Sequence, residues 1–219
     1  DKYCRDVGIS MDEFLALAYA QTHPDRAAYI VLRGVFLGTQ DELDWFYGGG
    51  AGRFFPALWA RFVDAIPEEE RGDLIGAYHR RLFSGNFTDE AKFSRLWADW
   101  ENALATVETR AYFETPVDYA RAFARLENHY FTNNCFFERD GQLMQDLGRI
   151  KDVRGTIVQG QFDMICPPTT AWNLHRKWAG STFRLVPMAG HALSEPGITA
   201  ELVLVMDGLR DQQFLRATS

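Results

Sequence analysis

Two residues that could belong to a hydrolytic site follow two successive predicted strands. Residues 155–160 (GTIVQG) have a strand pattern and lead into Asp163, and residues 182–187 (TFRLVP) lead into His191. Because the carboxyl ends of parallel strands meet at one edge of a sheet, both side chains should lie there. A carboxylate that orients an imidazole, in the chain order Asp then His, would support a serine nucleophile. A turn aspartate and a loop histidine explain each residue singly, whereas their placement at successive strand ends favours function.

The remaining pattern predicts the elements that position these residues. A third strand is expected at 28–33 (AYIVLR), and almost no strand signal occurs between residue 39 and residue 150. Helices are expected at 11–22, from Pro56, from Pro67, and at 89–105, 116–128, 168–178 and 198–210. Strands separated by helices predict a parallel sheet. The long helical block is too long for a crossover, so it is expected to be an inserted cap over the site.

Composition limits the function classes. The chain has 219 residues, of which 47% are hydrophobic and 24% charged, and its net charge is −7. This balance is typical of a soluble globular protein and argues against nucleic acid and anionic membranes as partners. No apolar run is long enough to span a bilayer, and the first ten residues have no signal-peptide pattern. Three widely spaced cysteines predict neither disulfides nor a zinc site and are compatible with a cytoplasmic location.

Several segments are similar to one peptidase family. The residues V-Q-G-Q-F-D-M-I-C-P at 158–167 and P-M-A-G-H-A-L-S-E-P-G at 187–197 resemble the catalytic aspartate and histidine segments of proline iminopeptidases. Further similar segments are L-A-L-A-Y-A-Q-T-H-P at 15–24, R-F-F-P-A-L-W at 53–59, E-R-G-D-L-I-G-A-Y-H-R-R-L at 70–82, W-A-D-W-E at 97–101 and A-R-L-E-N-H-Y-F at 124–131. The resemblance implies an α/β-hydrolase fold. It also implies an enzyme that releases N-terminal proline from small peptides through a serine acyl-enzyme. It implies no metal and no organic cofactor.

The resemblance also implies substrate-binding residues in the cap. It places the family's amine-binding glutamates at Glu101 and Glu127, and its proline pocket at Phe36 and Phe131, with Phe46 or Tyr47 as a further wall. A charged terminal amine or imine does require carboxylates in a partly buried site. Without the resemblance, a solvated helix face would explain the glutamates and ordinary core packing would explain the aromatic residues.

The nucleophile position has two interpretations. Counting back from the 15–24 helix, Ser10 matches the family's nucleophile, but Asp12 replaces the second glycine of the G-G-S-W-G elbow. The strained turn of an elbow leaves little room for a Cβ, and a carboxylate there would repel an oxyanion. Alternatively, Ser10 and Glu13 form an S-x-x-E capping box that opens a helix without any catalytic role.

The pattern departs from the family most strongly before residue 10. The chain contains no H-G-G-P-G oxyanion loop, and residues 1–7 are polar and do not resemble the strand that should precede the elbow. We therefore expect an α/β-hydrolase core without its first strands, divided into a core segment at 1–38, a helical cap at 39–150 and a C-terminal core segment at 151–219. The strand at 28–33 would be an open edge, which a homo-oligomer or a partner would cover. Two other functions remain open: an esterase or amidase of the same fold, and a non-catalytic remnant.

Overall fold

The computed structural model describes residues 4–5, 12–108 and 115–217. Two compact units are present. The first comprises Asp1–Leu37 and Leu143–Ser219, and the second comprises Gly38–Gln142. Among the described helices, none is both long and apolar enough to cross a bilayer.

A parallel sheet forms the centre of the first unit. Its strands are β1 (Cys4–Arg5), β2 (Tyr29–Arg33), β3 (Arg154–Gly160) and β4 (Ser181–Val186), and they lie in this order. All three neighbouring pairs are parallel, as the alternation of strands and helices predicts. The first unit thus has the predicted α/β architecture.

The expectation that β2 is an open edge is wrong. Two residues of β1 pair with it, at Ile30 and Val31, so the described sheet has four strands rather than three. A strand of two residues cannot show the alternation or the apolar run that identifies a strand in a sequence. It was therefore visible only in the tertiary structure.

Helices cover the sheet of the first unit. They are α1 (Asp12–Thr22), α8 (Pro168–Lys177) and α9 (Pro196–Ala217), and the short α7 (Gln142–Gln145) lies at the boundary between the units. One core cluster, to which β2, β3, β4 and α9 contribute, consists of small and branched apolar side chains: Val31, Val158, Val186, Ala189, Ile198 and Val205. Burial of β3 along six of its seven residues explains its continuous apolar pattern.

The second unit is entirely helical where it is described. Its helices are α2 (Gln40–Tyr47), α3 (Pro56–Asp64), α4 (Leu74–Leu82), α5 (Phe87–Leu104) and α6 (Val117–Thr132). The helix that was expected to start at Pro67 differs from its prediction. A short 3₁₀ turn occupies Glu68–Glu70, and α4 begins only after Asp73, whose side chain accepts a hydrogen bond from the Gly76 N–H. The local cap, and not the proline, determines the start of this helix.

The helix α2 was not among the predicted elements, although a local signal was available. Thr39 accepts a hydrogen bond from the Glu42 N–H, and the Glu42 carboxylate accepts one from the Thr39 N–H at 3.0 Å. This reciprocal capping box satisfies two N–H groups that would otherwise have no helical partner. The T-x-x-E spacing at residues 39–42 would have identified the start of α2.

Candidate active site

The loops after β3 and β4 hold Asp163 and His191 side by side. Gln161 N–H donates to the Val186 carbonyl and Phe162 N–H donates to the Ala189 carbonyl, both at 2.9 Å. A Cβ at Gly160 would lie 2.0 Å from the Gly190 carbonyl oxygen, so only glycine permits this approach of the two loops. The sequence therefore joins the two strand ends tightly where the two polar side chains emerge.

The imidazole of His191 and the carboxylate of Asp163 form a buried hydrogen bond. The distance between His191 Nδ1 and Asp163 Oδ2 is 2.9 Å, and the two residues are 6% and 2% exposed. Because a carboxylate only accepts, Nδ1 must carry the hydrogen and Nε2 the lone pair of a neutral ring. His191 Nε2 is buried and has no hydrogen-bond partner within the described part of the chain. This nitrogen can therefore accept a proton.

Asp163 is held by several N–H groups in addition to the histidine. The backbone N–H groups of Ile165 and Cys166 donate to Oδ1 at 3.0 and 2.8 Å. The side-chain amide of Gln159 donates to Oδ2 at 3.1 Å. Charge-assisted hydrogen bonds of this kind stabilise a buried carboxylate and fix its orientation. The arrangement holds the Asp163 carboxylate in one orientation, from which it orients the imidazole.

Residues at the end of β2 pack against the histidine. Gly34 adopts a φ of +62°, and a Cβ there would lie 2.7 Å from His191 Cε1 and Nδ1. Arg33 is buried, donates a hydrogen bond to the His191 carbonyl oxygen, and pairs with the Glu13 carboxylate at 3.5 Å. Neither residue can be predicted from the sequence, since neither an L-R-G segment nor an arginine that becomes buried has a chemical signature of its own.

Ser10, the predicted nucleophile, lies outside the described residues, as does the turn that would form an elbow. The helix that follows it begins at Asp12. Glu13, which would complete a capping box with Ser10, is fully buried and pairs with Arg33. Ser10 therefore stays a prediction in both of its interpretations.

A second group of buried titratable residues lies in the helical unit. Glu101 on α5 and Glu127 on α6 are 4% and 1% exposed, and the negative charge of Glu127 acts on Glu101 at close range. The Tyr47 hydroxyl donates to Glu101, and the Trp97 indole N–H donates to Glu127 Oε2 at 3.0 Å. The alternative of a solvated helix face does not apply to these glutamates. The structure brings together the two residues that were predicted to bind an amine.

The electrostatic state of this pair differs from that of a surface carboxylate. Burial, and then the negative charge of Glu127, raise the pKa of Glu101 well above its ordinary value. Two adjacent buried carboxyl groups cannot both ionise at low cost, so they favour one shared proton or the arrival of a cation. A positively charged ligand would compensate this unfavourable charge.

The two predicted pocket phenylalanines lie in different units. Phe131 is buried on α6, where its ring centre lies 5.7 Å from that of Tyr47 and 6.3 Å from that of Trp97. Phe36 belongs to the first unit and packs edge-on against Phe14 at 6.0 Å. The sequence does not predict the hydrogen bond from Tyr47 to Glu101, because an aromatic residue next to Phe46 resembles an ordinary core residue.

No group of three or more His, Cys, Asp and Glu side chains suited to a metal ion occurs in the described ranges 12–108 and 115–217. Within the same ranges, Cys135 and Cys166 are buried cysteines that are not joined in a disulfide. Burial raises the pKa of Cys135 to about 12, so this thiol is protonated at neutral pH.

The chain is similar to known proteins along most of its length. A proline iminopeptidase of Arabidopsis thaliana is 42% identical over 207 residues, and one of Xylella fastidiosa is 44% identical over 204 residues. These alignments cover 93% and 91% of this chain, but 54% and 65% of the two relatives. The chain therefore spans between about half and two thirds of the length of these curated relatives.

The fold is shared with solved hydrolases. A 2-hydroxy-6-oxo-6-phenylhexa-2,4-dienoate hydrolase from Rhodococcus sp. strain RHA1 superposes with a TM-score of 0.50 at 15% identity. The superposition covers 92% of this chain and 62% of that structure, and at such low identity it concerns the fold alone. A family model described as alpha/beta hydrolase fold matches residues 7–197, which is most of the chain. The parallel sheet, the Asp–His pair at its strand ends and this match place the chain in the alpha/beta hydrolase fold family.

Proposed function

We propose that the protein to which this sequence belongs is a proline iminopeptidase that releases N-terminal proline from small peptides. The observation that carries the proposal is the buried carboxyl pair of Glu101 and Glu127. It occurs in a chain that is 42–44% identical to proline iminopeptidases and that also contains the Asp163–His191 pair. Two adjacent buried carboxyl groups favour binding of a substrate whose terminus is positively charged.

The proposed reaction is acyl transfer through a serine ester. Ser10 Oγ attacks the prolyl carbonyl carbon while its proton passes to His191 Nε2, and Asp163 stabilises the resulting imidazolium. His191 gives the proton to the leaving amine nitrogen as the C–N bond breaks, which leaves a prolyl ester on Ser10. Water then attacks this ester and gives a proton to His191. Breakage of the ester bond releases proline, and the proton returns to Ser10.

The substrate side of the proposal assigns the charged end to the glutamates. The protonated imine of a terminal proline would bind between Glu101 and Glu127, where its charge compensates the two carboxyl groups. Phe131, which lies beside Tyr47 and Trp97, would form one wall of an apolar slot for the pyrrolidine ring. Phe36, which belongs to the first unit, stays a prediction from the family resemblance.

The alternatives differ in a measurable way. An esterase or amidase of the same fold would hydrolyse substrates whose terminal nitrogen is blocked. A non-catalytic remnant would hydrolyse neither free nor blocked substrates. Asp12 favours this alternative, because it replaces a glycine of the nucleophile elbow. In that case we expect a homo-oligomer or a partner to cover the sheet edge formed by β1, the outermost strand beside β2.

The test uses the intact native protein that contains this sequence. We expect it to hydrolyse a prolyl chromogenic amide and to reject the same amide with an acetylated proline nitrogen. Replacing Glu101 and Glu127 together by Gln should reduce stabilisation of the transition state by about 2–5 kcal/mol, since it removes the carboxylate partners of the substrate's buried positive charge. Equal turnover of the free and acetylated substrates would reject the peptidase in favour of the esterase or amidase.

A further inference from the structure

Gln159 is a buried polar residue on β3 that contacts both segments around the Asp–His pair. It is fully buried, and its side chain lies between the Val35 backbone, the Asp163 carboxylate and the Cys166 backbone. The Val35 N–H donates to Oε1 at 3.2 Å. Nε2 donates to Asp163 Oδ2 at 3.1 Å, to the Cys166 carbonyl at 3.0 Å and, at a longer 3.4 Å, to the Gly160 carbonyl. One amide thus joins the chain after β2 to the chain after β3.

Obligate partners fix the orientation of this amide. The Val35 N–H can only donate, so it requires the oxygen of Gln159, and the Cys166 carbonyl can only accept, so it requires the nitrogen. With Oε1 and Nε2 assigned in this way, an N–H of Gln159 must face Asp163. The hydrogen bond from Gln159 to the Asp163 carboxylate therefore follows from the positions of the Val35 N–H and the Cys166 carbonyl.

The acceptor of this donation is the oxygen that also orients the histidine. Asp163 Oδ2 accepts from Gln159 and from His191 Nδ1, whereas Oδ1 accepts from the Ile165 and Cys166 N–H groups. The two backbone donors contact Oδ1 only, so the side chain that restrains Oδ2 besides His191 itself is Gln159. Gln159 restrains the second oxygen and with it the direction of the imidazole.

We propose that Gln159 is a positioning residue for the Asp163–His191 pair. It touches neither the substrate nor the reacting atoms, and it acts by holding Oδ2 where His191 Nδ1 can donate to it. This inference rests on the proposed function, because it takes His191 as the base. A misplaced catalytic group costs up to about 10²-fold in rate, so loss of the amide should lower kcat without weakening substrate binding.

The kinetic test compares three variants of the intact native protein. Gln159→Leu removes every hydrogen bond of the side chain, and Gln159→Glu keeps an acceptor for the Val35 N–H but replaces the donor with a carboxyl group. Gln21→Leu is the matched control, since Gln21 is also buried in the first unit and its amide donates to the Leu143 carbonyl at 2.7 Å. Both Gln159 variants should lower kcat by about 10- to 100-fold with KM nearly unchanged. The control should keep the wild-type kcat.

A spectroscopic readout separates this inference from the proposed function. With ¹⁵N-labelled histidine, the Nδ1–H of His191 should give a low-field proton resonance that disappears in His191→Gln. We expect it to shift or broaden in both Gln159 variants and to be unchanged in Gln21→Leu. An unaltered resonance and kcat in Gln159→Glu would overturn the inference, as would an equal loss of kcat in the control. If the wild type lacks prolyl activity but the resonance responds as described, the proposed function fails and the positioning role stands.

Discussion

Two of the buried carboxyl sites in the described part of the chain, Asp163 and the Glu101–Glu127 pair, have opposite surroundings. Asp163 faces N–H groups from Gln159, Ile165, Cys166 and His191. Glu101 accepts a hydrogen bond from Tyr47, but it also faces a second carboxyl group. The first environment stabilises a negative charge within the folded protein, whereas the second disfavours it until a cation binds. Under the proposed function, the first site orients a base for proton transfer and the second receives a charged ligand.

Neutralising Asp163 should have the largest effect. Asp163→Asn in the intact native protein is expected to lower kcat about 10⁴-fold, because an amide nitrogen cannot accept from His191 Nδ1 and the ring loses its tautomer. Steady-state kinetics on a prolyl amide measures the loss, and circular dichroism verifies the fold. The same isosteric change at the second site, Glu101→Gln, should spare kcat more than Asp163→Asn does. If Asp163→Asn had the same kcat as the wild type, the proposal that Asp163 and Glu101 have different roles would be wrong.

The second site should be visible in the pH dependence of stability. Since the pKa of Glu101 is raised in the folded protein, the folded state binds this proton more tightly than the unfolded state. Its contribution to stability is complete below the ordinary value of 4.5 and is lost as pH rises toward the raised pKa. Thermal unfolding of the protein without substrate should therefore show a Tm that falls over this range, and Glu101→Gln should flatten the fall.

A control with the opposite sign is available on the surface of the same unit. Hydrogen bonds from Arg81 and Arg80 lower the pKa of Glu70 to about 2. The contribution of Glu70 is therefore present above its ordinary pKa and lost as pH falls toward 2, so Glu70→Gln should alter only the acid side of the Tm profile. If Glu101→Gln and Glu70→Gln changed the profile in the same direction, the contrast between the two carboxyl environments would be wrong.

The smallest effect on kcat is expected from a side chain placed against the His191 ring at Gly34. Gly34→Ala places a Cβ 2.7 Å from the His191 ring and should lower kcat by about 10- to 100-fold. Gly85→Ala is the matched control: its φ is +78°, similar to the +62° of Gly34, but the space around it is open. Both variants should lose about 1–2 kcal/mol of folding free energy from backbone strain, measured by urea unfolding. A loss of kcat in Gly85→Ala as large as that in Gly34→Ala would assign the effect to strain instead of contact with His191.

Local patterns in the sequence determined much of the architecture. The continuous apolar run of β3, the strand signals at β2 and β4 and the helical periodicity of the second unit predict a parallel sheet with an inserted helical block. Asp163 and His191 could be identified because strand ends share one edge of a parallel sheet, which makes their proximity a consequence of topology. The helix starts at Pro67 and at Thr39 were misjudged or missed because caps, and not periodicity, set helix ends.

What the sequence by itself determined, then, is the order and type of the elements and the pair of residues that topology must bring together. Tertiary structure alone decided that β1 pairs with β2, that Glu101 contacts Glu127, and that Gln159 joins Val35 to Asp163. These are contacts between residues distant along the chain, whose distances depend on packing and not on periodicity. Burial gives them their chemistry: the carboxyl group of Glu101 has a raised pKa only because the fold removes it from water and places it beside another acid.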